Sequence, residues 1–172
     1  ASRIANPGCH ASGFIALIAP LVQQGLLQKD AALTCFSLTG YSGGGKKMIA
    51  QYESYKREDY LNSPRQYALT QQHKHLKEMK AITGLTHEPI FCPIVSDFYS
   101  GMVVTIPLFR SQLEEGFTSE DIKNAYKAKY EGPVVCYVED FDESGFCSAN
   151  RLETKDGMEI SVSGNNDRIL LI

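Results

Sequence analysis

Two strand-like apolar runs lie next to each other in this sequence, with only a short turn between them. Residues 89–95 and 102–109 form the runs, and the turn lies around Gly101. The second run alternates onto one face through Val104, Ile106 and Leu108. Strands that follow each other without an intervening helix favour an α+β fold with a mixed or antiparallel sheet over a doubly wound sheet.

The rest of the chain supports this fold class. Helical patterns cover residues 13–24, 46–60, 75–82 and 118–130. Further strands are predicted for residues 31–38, 67–70, 133–138, 158–163 and 168–172, the last two as a hairpin. We therefore predict an α+β fold with a mixed, largely antiparallel sheet and helices packed on one face.

Length and charge narrow the classes of function. The 172 residues predict a single domain over residues 1–172. A net charge of −3 provides no general attraction to nucleic acid or to an anionic membrane. No run approaches the roughly 20 apolar residues of a membrane-spanning helix. Neither nucleic acid nor membrane is therefore an expected partner.

The chain contains five cysteines, an odd number, and no C-x-x-C pair. This usage argues against a disulfide framework and against a zinc site of common spacing. We expect a reducing compartment for the protein, either the cytoplasm or an organelle matrix, and the cytoplasm is the preferred prediction. Most of the cysteines lie in apolar, strand-like runs and are interpreted as buried small side chains.

Cys9 is different, because a Pro-Gly turn precedes it and a helical pattern follows it. The turn comprises Asn6, Pro7 and Gly8. A thiol at a helix N-terminus lies at the positive end of the helix dipole, which favours the thiolate. Backbone N–H groups at that end can also hold an oxyanion. The turn fits a cysteine that forms a thioester, although a cysteine that merely precedes a helix is the alternative interpretation.

A glycine-rich loop over residues 40–47 resembles a P-loop, but Lys47 stands where the pattern needs a hydroxyl for Mg²⁺. The loop can still receive a smaller anion, such as an acyl phosphate or a carboxylate. Ser42, Gly43 and Lys46 are the candidate contacts. A glycine-rich turn with solvated lysines is the alternative.

Two histidines and a carboxylate form the third candidate cluster. His73 and His75 lie two residues apart, and Glu78 follows His75 by one helical turn. A carboxylate at that spacing can orient an imidazole for general acid or base catalysis. A third and fourth metal ligand is missing, so no metal site is predicted.

Taken together, the motifs A-N-P-G-C, S-G-G-G-K-K and H-K-H-L-K-E resemble the N-acetyl-gamma-glutamyl-phosphate reductase family. The resemblance runs from about residue 4 to the last residue. It implies a fold like the C-terminal domain of glyceraldehyde-phosphate dehydrogenase. It also implies an NADP-dependent oxidoreductase of arginine biosynthesis that reduces N-acetylglutamyl 5-phosphate to the semialdehyde.

The resemblance also implies roles for individual residues. Cys9 would attack the acyl phosphate and form a thioester, which hydride from NADPH reduces through a hemithioacetal. The expected general acid and base is His73, with His75 as the second choice. Glu78 would orient the histidines or contact the substrate amide. Substrate contacts are expected from Asn6, Gly8, Ser42, Gly43 and Lys46.

No G-x-G-x-x-G dinucleotide motif occurs in the chain. The chain also lacks an initiator Met and closes on an apolar run. We therefore expect the catalytic and dimerisation domain of a two-domain enzyme, cut from its NADP-binding Rossmann domain and inactive alone. A homo-oligomer, dimer or tetramer, is expected.

The sequence departs from the family pattern at Ser100, Ile94 and Lys77, so the phosphate-binding arginine is not assigned; Arg110 and Arg65 are substitutes without motif support. Three alternatives stay open. The chain could belong to an aspartate-semialdehyde dehydrogenase. It could also belong to a reductase whose substrate is the carrier-linked aminoadipyl analogue of the acyl phosphate. It could also be a non-catalytic module for oligomerisation or anion binding.

Overall fold

A computed structural model describes residues 6–172 of the protein. The helices are α1 (Cys9–Gln23), α2 (Gly45–Tyr52), α3 (Lys74–Thr83) and α4 (Ser119–Lys129). The first four strands are β1 (Thr34–Gly40), β2 (Arg65–Gln66), β3 (Ile90–Ser96) and β4 (Met102–Phe109). The remaining strands are β5 (Val135–Tyr137), β6 (Met158–Ile160), β7 (Val162–Gly164) and β8 (Arg168–Leu171).

Six of these strands form the main sheet, in the order β2-β3-β1-β4-β8-β7. The central pair β1 and β3 is parallel, and the other four pairs are antiparallel. Strands β5 and β6 form a separate parallel pair. The predicted α+β fold with a mixed, largely antiparallel sheet is therefore confirmed.

The two faces of the sheet differ in burial. On one face, Cys35, Phe91 and Ile106 are fully buried in a core shared with α1, α3 and α4. This follows from the period-two alternation of the strands, which sends neighbouring residues to opposite faces. The opposite face carries exposed apolar side chains on four strands: Phe36, Ile90, Phe109 and Leu170.

Helix α1 runs through Pro20 without ending there. Proline has no N–H, so the carbonyl of Ala16 lacks its usual helical donor. The hydroxyl of Tyr130, just after α4, donates to that carbonyl at 2.6 Å. The neighbouring hydroxyl of Tyr126 donates to the carbonyl of Leu17. These two bonds anchor α4 to the part of α1 that proline weakens.

Several sequence-based boundaries differ from the structure. The helix predicted over residues 46–60 ends at Tyr52, because Ser54 Oγ accepts the Lys56 N–H and the chain turns away. The strand predicted over residues 67–70 lies two residues earlier, as β2. Residues 158–163 split into β6 and β7 around Ser161.

The last hairpin forms as predicted, with β7 and β8 antiparallel. Within residues 6–172, helices are too short or too polar to cross a membrane.

Candidate active site

Cys9 is the first residue of α1, and its side chain is exposed. The first hydrogen bond of the helix runs from the Ser12 N–H to the Gly8 carbonyl, at 2.8 Å. The N–H groups of the first turn are therefore unpaired within the helix, and they lie beside the cysteine. This geometry suits a thiolate nucleophile and an oxyanion formed on its substrate.

Helix α3 contacts the Cys9 turn directly. The carboxylate of Glu78 accepts the Gly8 N–H, at 3.2 Å to Oε2. His75 packs against Gly8 so closely that a Cβ at that position would lie 2.1 Å from its Nε2. The H-x-H-x-x-E motif and the N-P-G-C motif thus meet in space, and glycine at position 8 allows it.

His73 stands at the N-cap of α3, where its Nδ1 accepts the His75 N–H at 3.2 Å. A neutral His73 ring therefore carries its hydrogen on Nε2. The His73 and His75 rings meet edge to face, with centroids 4.5 Å apart. The Nδ1 of His75 is buried, and no described residue offers it a hydrogen-bond partner.

A third histidine belongs to the same cluster. His10 is 4% exposed, and its ring centroid lies 5.5 Å from that of His75. Its Nδ1 lies 2.7 Å from Ser37 Oγ, and its Nε2 lies 2.7 Å from the hydroxyl oxygen of Tyr67. These contacts join the start of α1 to β1 and to the residue that follows β2.

Burial keeps all three imidazoles neutral at neutral pH. The pKa of His10 is lowered to about 4, first by burial and then by His75 and His73. The pKa values of His73 and His75 are also lowered, again mainly by burial, with Lys74 adding repulsion. Neutral imidazoles can accept a proton from a thiol, which is what a general base must do.

A cavity of about 410 Å³ opens at Cys9. Ser42 and Gly43 of the glycine-rich loop line it together with Cys9, as expected of substrate contacts. Asn6 and Lys46 are exposed, and neither is among the described residues that line this cavity. The structure thus brings the loop to the cysteine but does not bring Lys46 there.

An irregular segment over residues 141–157 forms the far wall of the cavity. It is seated on Gly101, where a Cβ would lie 2.3 Å from the Ala149 carbonyl oxygen and where φ is +123°. Ser100 Oγ donates to Glu153 at 3.2 Å. Arg151, paired with Glu159, adds a guanidinium to the lining. Non-local contacts position this wall, so local sequence patterns did not indicate it.

The remaining ionisable side chains provide fewer candidates for catalysis or metal binding. Among residues 6–172, no group of three or more His, Cys, Asp or Glu side chains is arranged to hold a metal ion. All five cysteines are free. Burial raises the pKa of Cys35 to about 12, so that its thiol is inert at neutral pH. Cys147 lines the same cavity as Cys9, and burial raises its pKa as well.

Sequence reasoning missed His10 and Tyr67 as members of the site. His10 stood in the quoted N-P-G-C-H run, but the helix was predicted to begin at Gly13. Tyr67 was assigned to a strand over residues 67–70, but β2 ends at Gln66, so that Tyr67 follows the strand. The one sequence feature that could have indicated His10 was its position next to Cys9.

Comparison with curated proteins gives close sequence relatives. N-acetyl-gamma-glutamyl-phosphate reductase of Sinorhizobium medicae is 41% identical over 170 residues, which are 96% of this chain and 55% of that protein. The enzyme of the same name from Rhizobium meliloti is 40% identical over 168 residues, 95% of this chain and 54% of its own length. The chain therefore spans about half the length of these relatives.

Solved structures share the fold at low sequence identity. Aspartate semialdehyde dehydrogenase II from Vibrio cholerae has a TM-score of 0.68 at 14% identity, over 98% of this chain and 55% of that one. A probable aspartate-semialdehyde dehydrogenase from Pseudomonas aeruginosa also has a TM-score of 0.68, at 12% identity, over 98% of this chain and 55% of that one.

The family comparison covers nearly the whole chain. The sequence profile described as semialdehyde dehydrogenase, dimerisation domain, matches residues 9–172. Together with the reductase relatives, it confirms the resemblance drawn from the three motifs. The chain belongs to the semialdehyde dehydrogenase dimerisation domain family.

Proposed function

We propose that this chain is the catalytic and dimerisation domain of an N-acetyl-gamma-glutamyl-phosphate reductase of arginine biosynthesis. The observation that carries the proposal is the meeting of two motifs, in which Glu78 and His75 of α3 both contact Gly8, next to Cys9. Curated relatives near 40% identity carry that reductase name. The aspartate-semialdehyde dehydrogenases match at only 10–14% identity, which supports a shared fold alone.

Cys9 is the proposed nucleophile. Its thiolate attacks the acyl carbon of N-acetylglutamyl 5-phosphate, the carbon–oxygen bond to phosphate breaks, and phosphate leaves with the bonding electron pair. The product is a thioester on Cys9. The first-turn N–H groups of α1 stabilise the charge that develops on the acyl oxygen.

His75 and His73 divide the proton transfers in our proposal. His75 is packed against Gly8 and is held neutral, so it takes the proton of the Cys9 thiol. His73 carries its hydrogen on Nε2, because its Nδ1 accepts a backbone N–H, and it donates to the hemithioacetal oxygen. Glu78 holds the Gly8 N–H and so fixes the cysteine turn.

Substrate anions are assigned to the cavity at Cys9. Ser42 and Gly43, which line the cavity, are the proposed contacts from the motifs. Gly8, Asn6 and Lys46 remain candidates from the motifs alone, since they are not among the described residues that line it. Arg151 lines the cavity, whereas Arg110 and Arg65 do not. We therefore assign anion recognition to Arg151, and an Arg151→Met variant with an unchanged KM would exclude that assignment.

The glycine-rich loop does not fit a dinucleotide diphosphate. In the glycine-rich loop, the N–H groups of Tyr41 and Ser42 already donate to the carbonyls of Phe98 and Tyr99, both at 2.9 Å. A diphosphate would need such N–H groups free. The hydride would come from NADPH held outside this chain, by a Rossmann domain of the full-length protein. The five free cysteines agree with a cytoplasmic location.

A second copy of the chain is the proposed partner for the open face of the sheet. Phe36 is 44% exposed and Phe109 63% exposed on that face. Large apolar side chains grouped on one exposed face are typical of an interaction surface. The family description names dimerisation. A Phe36→Lys substitution should convert the dimer to monomer in sedimentation analysis, and an unchanged mass would exclude this face as the interface.

The activity test compares substrates in the full-length protein. We expect NADPH oxidation with N-acetylglutamyl 5-phosphate and at least about 100-fold lower kcat/KM with aspartyl phosphate, since a missing recognition contact costs several kcal/mol. The chain alone should show no NADPH-dependent turnover. Preference for aspartyl phosphate or for a carrier-linked aminoadipyl phosphate would contradict the proposal. Absence of any turnover would favour a non-catalytic module.

A further inference from the structure

The first turn of α1, which carries Cys9, has no side-chain cap. Its N-cap residue is Gly8, which has no side chain that could accept the N–H groups of the turn. Those N–H groups are available to an oxyanion, but a helix end of this kind frays unless other contacts hold it. The carboxylate of Glu78 holds the residue before the turn, through the Gly8 N–H. Anchorage of the helical residues themselves must come from their side chains.

His10 is a side chain of this turn that is hydrogen-bonded through both nitrogens of its ring. Its Nδ1 lies 2.7 Å from Ser37 Oγ, and its Nε2 lies 2.7 Å from the hydroxyl oxygen of Tyr67. Ser37 is fully buried in β1, and Tyr67 follows β2. His10 therefore links the first turn of α1 to two separate strands of the main sheet.

Burial of the His10 ring makes these bonds costly to lose. The ring is 4% exposed, and burial lowers its pKa to about 4, so that it is neutral at pH 7. A neutral imidazole has one donor and one acceptor nitrogen, and a hydroxyl can fill either role, so both tautomers satisfy both hydroxyls. Within residues 6–172, neither Ser37 Oγ nor the Tyr67 hydroxyl has another partner. Loss of the ring nitrogens would leave the buried Ser37 hydroxyl unpaired.

His10 also supports the histidine that faces Gly8. Its ring centroid lies 5.5 Å from that of His75 and 5.3 Å from that of Phe91, which is fully buried in the core. His75 in turn packs against Gly8. Displacement of the His10 ring would therefore disturb both the helical turn that carries Cys9 and the proposed base beside it.

We propose that His10 is a positioning residue of the Cys9 centre, which fixes the first turn of α1 against the sheet through Ser37 and Tyr67. This role rests on the proposed function, in which Cys9 and the first-turn N–H groups act on an acyl phosphate. His10 takes no part in the bond changes. It sets where the sulfur and the N–H groups lie, and a misplacement of about 1 Å can lower a rate by about a hundredfold.

Steady-state kinetics of the full-length protein test this role. His10→Phe keeps an aromatic ring but removes both hydrogen bonds, and Ser37→Ala removes one of them. We expect kcat to fall at least about tenfold in His10→Phe, and by less in Ser37→Ala. KM should stay within about twofold of wild type, because the proposed substrate contacts Ser42, Gly43 and Arg151 are unchanged. Reduced stability alone would not produce this difference between kcat and KM.

Tyr130→Phe is the matched control, because it also removes a hydroxyl bond to α1, but at Ala16 in the middle of the helix. It should leave kcat unchanged. An unchanged kcat in folded His10→Phe, or an equal fall in kcat in Tyr130→Phe, would overturn the positioning role. Where His10→Phe does not fold, Ser37→Ala is judged by the same criterion.

Amide hydrogen exchange of the same variants does not depend on the reductase assay. The Ser12 N–H donates to the Gly8 carbonyl, so its exchange reports opening of the first turn. We expect exchange at least about fivefold faster in His10→Phe, as for the loss of one buried hydrogen bond, and unchanged in Tyr130→Phe.

The two measurements separate this role from the proposed function. Faster exchange in His10→Phe, in a protein without reductase turnover, would support the anchoring by His10 and contradict the proposed function. Reductase turnover with wild-type exchange in His10→Phe would support the proposed function and overturn the anchoring.

Discussion

The carboxylate of Glu78 accepts the backbone N–H of Gly8 across 70 residues of sequence, at 3.2 Å. The bond ties the first turns of α3 to the residue before Cys9. Because both groups are partly buried, water cannot fully replace this hydrogen bond. Its loss would therefore lower the free energy of unfolding.

We expect Glu78→Ala to lower the free energy of unfolding by about 1–2 kcal/mol, because the Gly8 N–H loses its acceptor. It should also lower kcat/KM by at least about tenfold, since the cysteine turn is less well held. Glu78→Gln keeps an acceptor oxygen and should stay within a few-fold of wild type. Urea unfolding and steady-state kinetics measure both effects, and equal losses in the two variants would show that the charge is required.

Gly8→Ala should disturb the same contact from the other side. The added Cβ would lie 2.1 Å from His75 Nε2, although the backbone at Gly8 is extended and suits alanine. We expect a loss of about 1–3 kcal/mol in unfolding free energy, as in other overpacked sites. Activity should fall as His75 moves.

Gly132→Ala is the control for this substitution, because the nearest atom to its Cβ would be 4.0 Å away. A Gly8→Ala variant as stable and as active as Gly132→Ala would show that His75 does not depend on this packing.

The bond from Tyr130 to the Ala16 carbonyl predicts a coupled pair of substitutions. Tyr130→Phe should cost about 1–2 kcal/mol of unfolding free energy, because Pro20 provides no N–H in its place. In a Pro20→Ala background the new N–H can reach Ala16, so the same substitution should cost less. A double-mutant cycle by urea unfolding measures the coupling. Equal costs in both backgrounds would contradict this explanation.

The free energy of unfolding should decrease as the pH is lowered, because the buried His10 becomes protonated. Its folded pKa is about 4, below the unfolded value of 6.5, so the unfolded state binds more protons between these values. The stability contribution is complete above about pH 6.5 and is lost as pH falls towards 4, by about 3 kcal/mol in all. His73 and His75 change with the same sign.

Urea unfolding between pH 7 and 4 tests this dependence. His10→Asn should flatten the pH dependence, whereas His87→Asn, a change on the surface, should leave it as in wild type. A wild-type slope in His10→Asn would mean that His10 does not carry the effect.

Elements whose bounds depend on local sequence patterns were predicted well, whereas elements whose bounds depend on contacts with distant residues were not. Strand β4 was predicted with the bounds that it has, because its alternation reflects burial of one face against the helices. The helix over residues 46–60 was predicted too long, because its end depends on Ser54 and on the pairing of Arg57 with Asp97, 40 residues away. Hydrophobic periodicity contains no information about such partners.

The residues of the candidate site also fall into a part that local motifs indicated and a part that distant contacts determine. The motifs indicated Cys9, His75 and Glu78, and the structure brings these three residues together around Gly8. The links from His10 to Ser37 and Tyr67 span 27 and 57 residues, and only the pairing of β1 with β3 and of β3 with β2 brings them together. Sheet topology therefore had to be known before this part of the site could be described.

In the proposed reaction, Cys9 forms a thioester with the acyl group of N-acetylglutamyl 5-phosphate. The direct measurement is mass spectrometry of the full-length protein after incubation with this substrate in the absence of NADPH. We predict one N-acetylglutamyl group on the Cys9 peptide, none on Cys147, and neither adduct nor turnover in Cys9→Ser. Turnover of substrate by Cys9→Ser at the wild-type rate, or an acyl group on another residue, would contradict the account.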